Sequence, residues 1–171
     1  MTLQTQTLLR NEGDAGLTYL RDQLHITVRE KDTRVLLKYD QIDSPMSDPI
    51  VQECRGLILD RRDWCVISWP FRKFFNYGEG HAAPIDFRSA VAQEKIDGTC
   101  CTLYFHDNEW HVQTLGMMDA EGNINFSDRT FSDLFFDYFK RDWLTKLDSA
   151  YCYTFELATK YNRVVTRYSE D

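Results

Sequence analysis

The most regular apolar pattern in the chain lies between residues 130 and 147. Phe, Tyr, Trp and Leu residues recur there at intervals of three and four, which places them on one face of an α-helix. Residues 14–24 repeat this spacing with three leucines. The sequence therefore predicts a helix over 130–147, entered through a polar stretch at 127–130, and a short helix over 14–24.

Shorter apolar runs separated by polar turns predict strands. The strongest is a hairpin of residues 102–105 and 110–114, because His106-Asp107-Asn108-Glu109 supplies good turn chemistry between its two runs. A loop is predicted at 40–49. Many antiparallel strands with a few covering helices predict an α+β domain. The other predicted strands cover residues 25–30, 34–39, 55–59, 65–69, 90–97, 151–157 and 163–168.

The composition fits one globular domain over residues 1–171. Of the 171 residues, 43% are hydrophobic and 14% aromatic, which is enough for a core, and no linker or internal repeat divides the chain. No apolar run could span a bilayer, and residues 1–10 lack the features of a signal peptide. We therefore expect a cytoplasmic protein with no membrane contact.

The cysteines agree with a reducing compartment. Their number is odd, no Cys-x-x-Cys pair occurs, and no histidine lies at a zinc-ligand spacing from them. We expect all five to be reduced and most to be buried as small apolar side chains. They are Cys54, Cys65, Cys100, Cys101 and Cys152.

Net charge and charge distribution point in different directions. The net charge of −7 weakens non-specific binding of nucleic acid. Residues 55–73 nevertheless carry a local excess of positive charge, and residues 158–168 contain three basic residues and no acid. These residues are either solvated strand and turn positions or a local phosphate site.

Candidate chemistry centres on Lys95-Ile96-Asp97-Gly98, because the sequence lacks P-loop, dinucleotide-binding, zinc-protease and serine-hydrolase motifs. At the end of a strand, Lys95 and Asp97 would share a face, and Gly98 would let the backbone turn. A lysine acts as a covalent nucleophile when nearby cations keep part of it neutral. Asp97 alone favours the charged form, so those cations must come from elsewhere. Taken alone, the motif also fits an exposed lysine before a turn.

Neighbouring blocks give this motif a context. Upstream stand Glu53-Cys54-Arg55-Gly56 and Phe71-Arg72-Lys73-Phe74-Phe75-Asn76, and downstream stands Tyr153-Thr154-Phe155-Glu156-Leu157. In this order, from about residue 50 to about residue 168, the series resembles the ATP-dependent RNA ligases of the bacteriophage RNA ligase 1 family. That family belongs to the covalent nucleotidyltransferase superfamily, together with DNA ligases and mRNA capping enzymes.

The resemblance implies a nucleotidyltransferase fold and a three-step reaction with ATP and Mg²⁺. Lys95 would attack the α-phosphate of ATP to form a lysyl-AMP and release pyrophosphate. The AMP would pass to an RNA 5′-phosphate, and a 3′-hydroxyl would displace it. RNA ends are the implied partners, and the sequence leaves open whether they come from a broken tRNA or another RNA.

The resemblance also assigns roles residue by residue. Asp97 and Gly98 would shape the nucleotide-binding loop. Glu156 would act near the ribose or, through water, the metal. The remaining nucleotide-binding residues by this carry-over are Arg55 and Lys73, which would face the triphosphate, and Phe75, in the essential aromatic block.

Two departures from the family pattern affect this interpretation. Leu115 stands before Gly116 where the family has a basic residue that meets ATP phosphates. The family's later motifs, a Glu-Gly strand and a final pair of lysines, would lie beyond Asp171. We therefore expect an N-terminal part of a ligase, as a truncated product, one half of a split enzyme or a cut fragment, completed by a C-terminal segment or a second chain. Strand 151–157 or 163–168 would then present an open edge.

Alternatives remain open at this point. Arg55 could pair with Asp60 on the surface, and Lys73 could be an ordinary strand residue. On a strand, Glu156 faces away from Phe155 and Leu157, so it points to a cleft or to water if they face the core. The domain could also be a degenerate ligase-like module that binds nucleotide or RNA ends without catalysis. A DNA ligase or capping-type transferase would share the lysine chemistry but fits the Lys-Phe-Phe-Asn block less well.

Overall fold

Two antiparallel sheets and their covering helices make up the computed structural model, which describes residues 2–124, 128–162 and 165–166. The first sheet has the strand order β1-β2-β3-β4 and the second β6-β5-β7. The predicted α+β architecture is thereby confirmed. The elements are α1 Gln4–Glu12, α2 Asp14–Asp22, β1 Ile26–Lys31, β2 Arg34–Tyr39, α3 Pro49–Glu53, β3 Arg55–Asp60, β4 Val66–Ser68, β5 Thr99–His106, β6 Glu109–Thr114, α4 Phe131–Tyr138, a 3₁₀ helix Arg141–Lys146 and β7 Tyr153–Leu157.

The first sheet is covered on both faces. Alternation along β2 sends Val35 and Leu37 toward the helices α1, α2 and α3, where they join the largest apolar core. Leu36 points the other way and packs with Ile58 of β3 against Tyr104 of the second sheet. This explains why β2 reads as a nearly continuous apolar run rather than as an alternating one.

The N-terminal helix α1 was not predicted from the sequence, whereas α2 and β2 were. Only part of one face of α1 is apolar, and its start is stabilised from a distant part of the chain. The carboxylate of Glu53, which is 3% exposed, accepts hydrogen bonds from the backbone N–H groups of Gln4 at 3.1 Å and Thr5 at 2.9 Å. A carboxylate at a helix N-terminus satisfies free N–H groups and complements the helix dipole.

The hairpin between β5 and β6 confirms the strongest strand prediction, with a tighter turn than expected. Asp107 and Asn108 both have positive φ, at 46° and 66°. Two central residues with positive φ make the turn that matches the twist of a two-stranded hairpin, and Asp and Asn tolerate it well. The strands therefore extend to His106 and Glu109, which pair with each other.

The prediction of one continuous helix over residues 130–147 is wrong. Thr130 caps α4, because its Oγ1 accepts from the N–H of Asp133 at 3.0 Å and its own N–H donates to the Asp133 carboxylate at 2.9 Å. The helix ends after Tyr138, since Phe139 is extended and turns its ring onto Phe155 of β7 at 5.5 Å. The apolar spacing continues past the break because the 3₁₀ helix covers the same sheet.

Most of the other predicted strands are present in the structure. The strands at 25–30, 55–59, 65–69 and 151–157 are confirmed with ends shifted by one or two residues. All five cysteines are free, but the expectation that most are buried is wrong, since only Cys54 and Cys101 are buried and Cys65 is exposed just before β4. A short helix, α3, follows the predicted loop. β7 pairs only with β5 in the described part of the chain, so it lies at a sheet edge. The strand predicted at 163–168 lies outside the described residues except for 165 and 166.

A buried polar network ties the two sheets together at one end. Arg34, at the start of β2, donates to Asp119 at 2.7 Å and to the hydroxyl of Tyr104 on β5 at 2.7 Å. His111 of β6 stacks on Tyr104 and contacts Asp119 at 3.0 Å. The sheets are therefore fixed at this end, whereas a cleft opens between them toward the other end of β2.

Candidate active site

The segment that carries Lys95 is not a strand, contrary to the prediction for residues 90–97. Residues 91–96 are exposed and form no ladder with either sheet; the strand begins only at Thr99. The contacts that hold this part of the chain are made by the carboxylates of Asp97 and Glu156 with backbone N–H groups, and not by a backbone ladder. Lys95 therefore lies on an exposed segment without regular secondary structure that leads into β5.

This segment is held in place just after Lys95. The carboxylate of Asp97 accepts hydrogen bonds from the backbone N–H groups of Val165 at 2.8 Å and Thr166 at 2.6 Å. These two bonds, and to a smaller extent the charge of Lys95, lower the pKa of Asp97. Asp97 is thus an ionised anchor beside Lys95.

Gly98 is required by the close approach of β7. A Cβ atom at this position would lie 2.4 Å from the carbonyl oxygen of Leu157 and 3.1 Å from the Cα of Ala158. Because both neighbours are backbone atoms, a side chain could be accommodated only by moving the strand. The backbone N–H of Gly98 donates to Oε1 of Glu156 at 3.0 Å.

Glu156 lies on β7 with the orientation that alternation predicted. Phe155 and Leu157 pack into the apolar core between the second sheet and α4. Glu156 therefore points to the opposite face, which is the face toward the first sheet, and it pairs across the ladder with Cys100 of β5. The carboxylate accepts from Gly98, which lines the cleft between the sheets.

Arg55, the first residue of β3, does not pair with Asp60, since Asp60 is bound by Arg62 instead. Its guanidinium lies over the rings of Phe74 at 4.9 Å and Phe71 at 5.8 Å. Its Nη1 is buried and has no hydrogen-bond acceptor within the described part of the chain. A buried donor without an acceptor is costly until water or an ion satisfies it, so this Nη1 is available to bind an anion.

The thiol of Cys100 reports how these charges are grouped. Burial raises the pKa of Cys100, Glu156 raises it further, and the positive charges of Arg55 and Lys95 lower it. Three predicted site residues from separate parts of the chain therefore influence one half-buried thiol. Contacts place Glu156 opposite Cys100 in the ladder and in hydrogen-bond contact with Gly98, close in sequence to Lys95 and Asp97.

A cleft of about 470 Å³ opens between the two sheets at this point. Gly98 and Cys100 line it from the second sheet, and Leu115 lines it from the loop after β6. Two cations that were not predicted from the sequence line the same cleft, Arg29 of β1 and Lys38 of β2. In the structure, Lys38 is the one exposed residue of an otherwise buried strand.

Lys73 and Phe75 lie in a neighbouring cleft of about 410 Å³. The ammonium of Lys73 stands 4.8 Å from the ring centroid of Phe75, and its backbone N–H donates to the carbonyl of Gln52 at 2.7 Å. No strand forms at Lys73, so it is not the ordinary strand residue of the alternative interpretation. Phe74 lines this cleft and contacts Arg55, which pairs across the ladder with Lys38 of the inter-sheet cleft.

The described residues hold neither a cluster of metal ligands nor a membrane span. Within residues 2–124, 128–162 and 165–166, no three His, Cys, Asp or Glu side chains come together in a way that could hold a metal ion. None of the described helices has the length and apolar character needed to cross a bilayer.

Three relatives found by comparison with known proteins all have RNA ligase in their names. The chain is 36% identical over 152 residues to a protein named RNA ligase from Rhodothermus phage RM378, an alignment that covers 68% of the chain. It is 34% identical over 190 positions, covering 98% of the chain, to a protein described as a bifunctional polynucleotide kinase/RNA ligase from Autographa californica nuclear polyhedrosis virus. A shorter match, 36% over 69 residues and 36% of the chain, is to RNA ligase 1 of bacteriophage TS2126.

The matched regions are only part of these relatives. The chain spans 34% of the length of the phage RM378 protein, 27% of the baculovirus protein and 18% of the TS2126 protein. No protein-family model matches the chain.

Proposed function

We propose that this chain, which belongs to the RNA ligase family, is an adenylation unit in which Lys95 takes AMP from ATP. The observation that carries the proposal is the hydrogen bond from the Gly98 N–H to Oε1 of Glu156 at 3.0 Å, which joins the segment carrying Lys95 to a carboxylate beside the inter-sheet cleft that Gly98 lines. A nucleophile, a cation with a buried unused donor and a carboxylate are the groups that a nucleotidyl transfer to lysine needs. On this proposal, the two sheets are those of a nucleotidyltransferase domain.

The first step would form a phosphoramidate bond between Lys95 Nζ and the α-phosphorus of ATP. The lone pair of neutral Lys95 Nζ attacks the α-phosphorus of ATP, the bond from that phosphorus to the oxygen bridging to the β-phosphate breaks, and pyrophosphate leaves with the electron pair. The amine proton passes to solvent. Arg55 would bind phosphate oxygens through its buried Nη1, which has no acceptor among the described residues. Asp97 and Gly98 would hold the segment so that Lys95 meets the α-phosphate.

The residues present fit a nucleotide and are compatible with Mg²⁺. Five cations line or adjoin the two clefts, and the inter-sheet cleft has room for a nucleotide-sized ligand. They are Arg29, Lys38, Arg55, Arg72 and Lys73. Mg²⁺ is commonly held by one or two carboxylates together with substrate phosphates, which Glu156 could provide. When bound, it would neutralise charge on the phosphate oxygens.

The later steps concern the whole ligase. The AMP would move to a 5′-phosphate of RNA, and attack by a 3′-hydroxyl would release AMP and seal the strand. RNA as the substrate is supported by the names of the relatives. The five free cysteines fit a reducing compartment such as the cytoplasm.

The test is transfer of label from α-³²P-ATP with Mg²⁺ to the full 171-residue chain. Acid-stable label is expected on the wild type, and it should be absent from Lys95→Ala and present in the control Lys146→Ala, which changes an exposed lysine of the 3₁₀ helix. Label on Lys95→Ala equal to wild type would refute the assignment of the nucleophile. A chain that binds ATP without becoming labelled would favour the non-catalytic binding module.

The kind of nucleic acid needs its own comparison. A labelled chain should transfer AMP to 5′-phosphorylated single-stranded RNA in preference to nicked duplex DNA. Preference for nicked DNA would favour the DNA-ligase alternative.

A further inference from the structure

Lys38 occupies a position on β2 that packing does not explain. Every other residue of this strand is buried, whereas Lys38 is exposed at the inter-sheet cleft. A lysine in a strand of apolar residues, on the face that meets the second sheet, has no role in the core. Its ammonium group is instead available to a ligand in the cleft.

The strand register places two cations directly opposite each other. A bulge at Gly56, which has φ of +74°, shifts the pairing so that Lys38 faces Arg55 across β2 and β3. Like charges in directly opposed positions of an antiparallel pair are destabilising. Among the described residues, no carboxylate forms an ion pair within 4 Å with either one; the nearby acid Asp40 interacts with Lys38 through its charge while its oxygen accepts from the N–H groups of Ile42 and Asp43.

An anion between these two side chains would remove the repulsion. Arg55 offers the buried Nη1 that lacks an acceptor among the described residues, and the Lys38 ammonium offers three donors. Lys95 adds a positive charge on the segment that leads to Gly98 and Cys100, which line the same cleft. Two directly opposed cations with a third on the adjoining segment favour a ligand with several negative charges.

The loop after β6 brings Lys38 next to position 115. The Lys38 Cδ and Nζ atoms lie 3.7 and 4.0 Å from the place where a Cβ on Gly116 would be, and Leu115 is the preceding residue. Arg29 fixes this loop, because its Nη1 donates to the Gly116 carbonyl at 2.7 Å. Gly56 allows the approach, since a Cβ there would lie 3.1 Å from the Leu115 Cα. Lys38 therefore supplies a positive charge at the part of the cleft that Leu115 lines, where Leu115 itself supplies none.

We propose that Lys38, paired with Arg55, binds the phosphate chain of the nucleoside triphosphate and so replaces the cation that Leu115 does not supply. The proposal rests on the proposed function and deepens it by naming a further substrate-binding residue. The ligand class is a nucleotide polyphosphate. The same pair of cations would bind an inorganic polyphosphate, which can be measured without any transfer chemistry.

The experiment compares Lys38→Ala, Lys38→Arg and the control Lys146→Ala for binding of inorganic tripolyphosphate by calorimetry at low salt. Loss of a charge-assisted contact should weaken binding by about tenfold or more in Lys38→Ala, less in Lys38→Arg, and not in the control. Lys38→Ala should also melt at a temperature equal to or above the wild type, since it removes the repulsion with Arg55. Unchanged tripolyphosphate binding in Lys38→Ala would overturn the proposal.

A rescue variant tests the relation to position 115. Adding Leu115→Lys to Lys38→Ala should restore most of the lost tripolyphosphate affinity, whereas Leu115→Gln should not. Equal effects of the two substitutions would refute the replacement. If tripolyphosphate binding depends on Lys38 while the wild type gains no label from ATP, the anion site stands and the adenylation proposal fails. If the wild type is labelled and Lys38→Ala binds tripolyphosphate and is labelled like the wild type, the adenylation proposal stands and the role of Lys38 is refuted.

Discussion

The backbone N–H of Gly98 donates a hydrogen bond to Oε1 of Glu156 at 3.0 Å. This contact joins the segment that carries Lys95 to β7, across 58 residues of sequence. Glu156 thereby has a structural role in addition to any role in binding. Substitutions that keep the acceptor oxygen and remove the charge can separate the two.

We expect Glu156→Gln to fold as the wild type and to lose adenylation activity, because its amide oxygen still accepts from Gly98 while the negative charge is gone. Glu156→Ala should lose both, with a stability cost of at most about 1 kcal/mol for an exposed hydrogen bond. Urea unfolding and ATP labelling, measured on the same preparations, distinguish these outcomes. Full labelling by Glu156→Gln would show that only the hydrogen bond matters.

Gly98→Ala should destabilise the fold through steric conflict. Its Cβ would lie 2.4 Å from the Leu157 carbonyl oxygen, so β7 or the Lys95 segment must move. Overpacking against backbone costs about 1–3 kcal/mol. Gly80→Ala is the matched control, since a Cβ on Gly80 would have no atom of the described residues within 4 Å, and it should leave the unfolding midpoint nearly unchanged. Equal midpoints for the two variants would contradict the conflict at Gly98.

Local pattern was a good guide to elements whose stability is mainly local or strongly apolar. β2 and α2 were predicted because apolar residues repeat with clear periods, and the β5–β6 hairpin because Asp107 and Asn108 suit its turn. Helix α1 was missed because its N-terminus is satisfied by Glu53, about fifty residues away. The break after Tyr138 is set by the packing of Phe139 on β7, which periodicity cannot reveal.

The candidate site likewise contains residues that sequence motifs predict and residues that only the three-dimensional fold brings into place. Lys95, Asp97, Gly98 and Glu156 were named from motifs, and the contacts between them are visible only in three dimensions. Lys38 could not be named from sequence, because its position opposite Arg55 depends on the bulge at Gly56 and its proximity to Leu115 on the fold of a distant loop.

Cys100 offers a direct probe of the inter-sheet cleft. It lines the cleft and is half-buried, and its thiol pKa is raised by burial. A nucleotide bound there should cover the thiol and slow its alkylation several-fold. Cys65 is exposed and does not line the cleft, so it serves as an internal control in the same sample. Mass spectrometry after timed iodoacetamide treatment, with and without ATP, measures both rates. Equal slowing at both cysteines, or at neither, would argue against nucleotide binding in this cleft.

The ion-pair network at the other end of β2 predicts a specific dependence of stability on pH. Hydrogen bonds from His111, Arg34 and Lys31 lower the pKa of Asp119 far below its ordinary value. In the unfolded chain the same carboxyl takes up a proton near its usual pKa of about 4. The stabilisation from Asp119 is therefore complete above about pH 4 and is lost progressively as the pH falls below that value.

Asp119→Asn removes this contribution and leaves the guanidinium of Arg34, whose side chain is 5% exposed, with only the exposed Asp32 as an anionic partner. Removing one member of a buried ion pair costs about 3–5 kcal/mol, and Asp32 retains part of the pairing, so we expect a loss at or below the lower end of that range in the free energy of unfolding at pH 7. Asp60 and Asp97 also have lowered pKa values, so the variant should retain part of the acid dependence. Urea unfolding between about pH 3 and pH 7 should show a shallower slope for Asp119→Asn than for the wild type and for the exposed control Asp142→Asn. Parallel curves for all three proteins would mean that Asp119 is not the carboxylate that holds the two sheets together in acid.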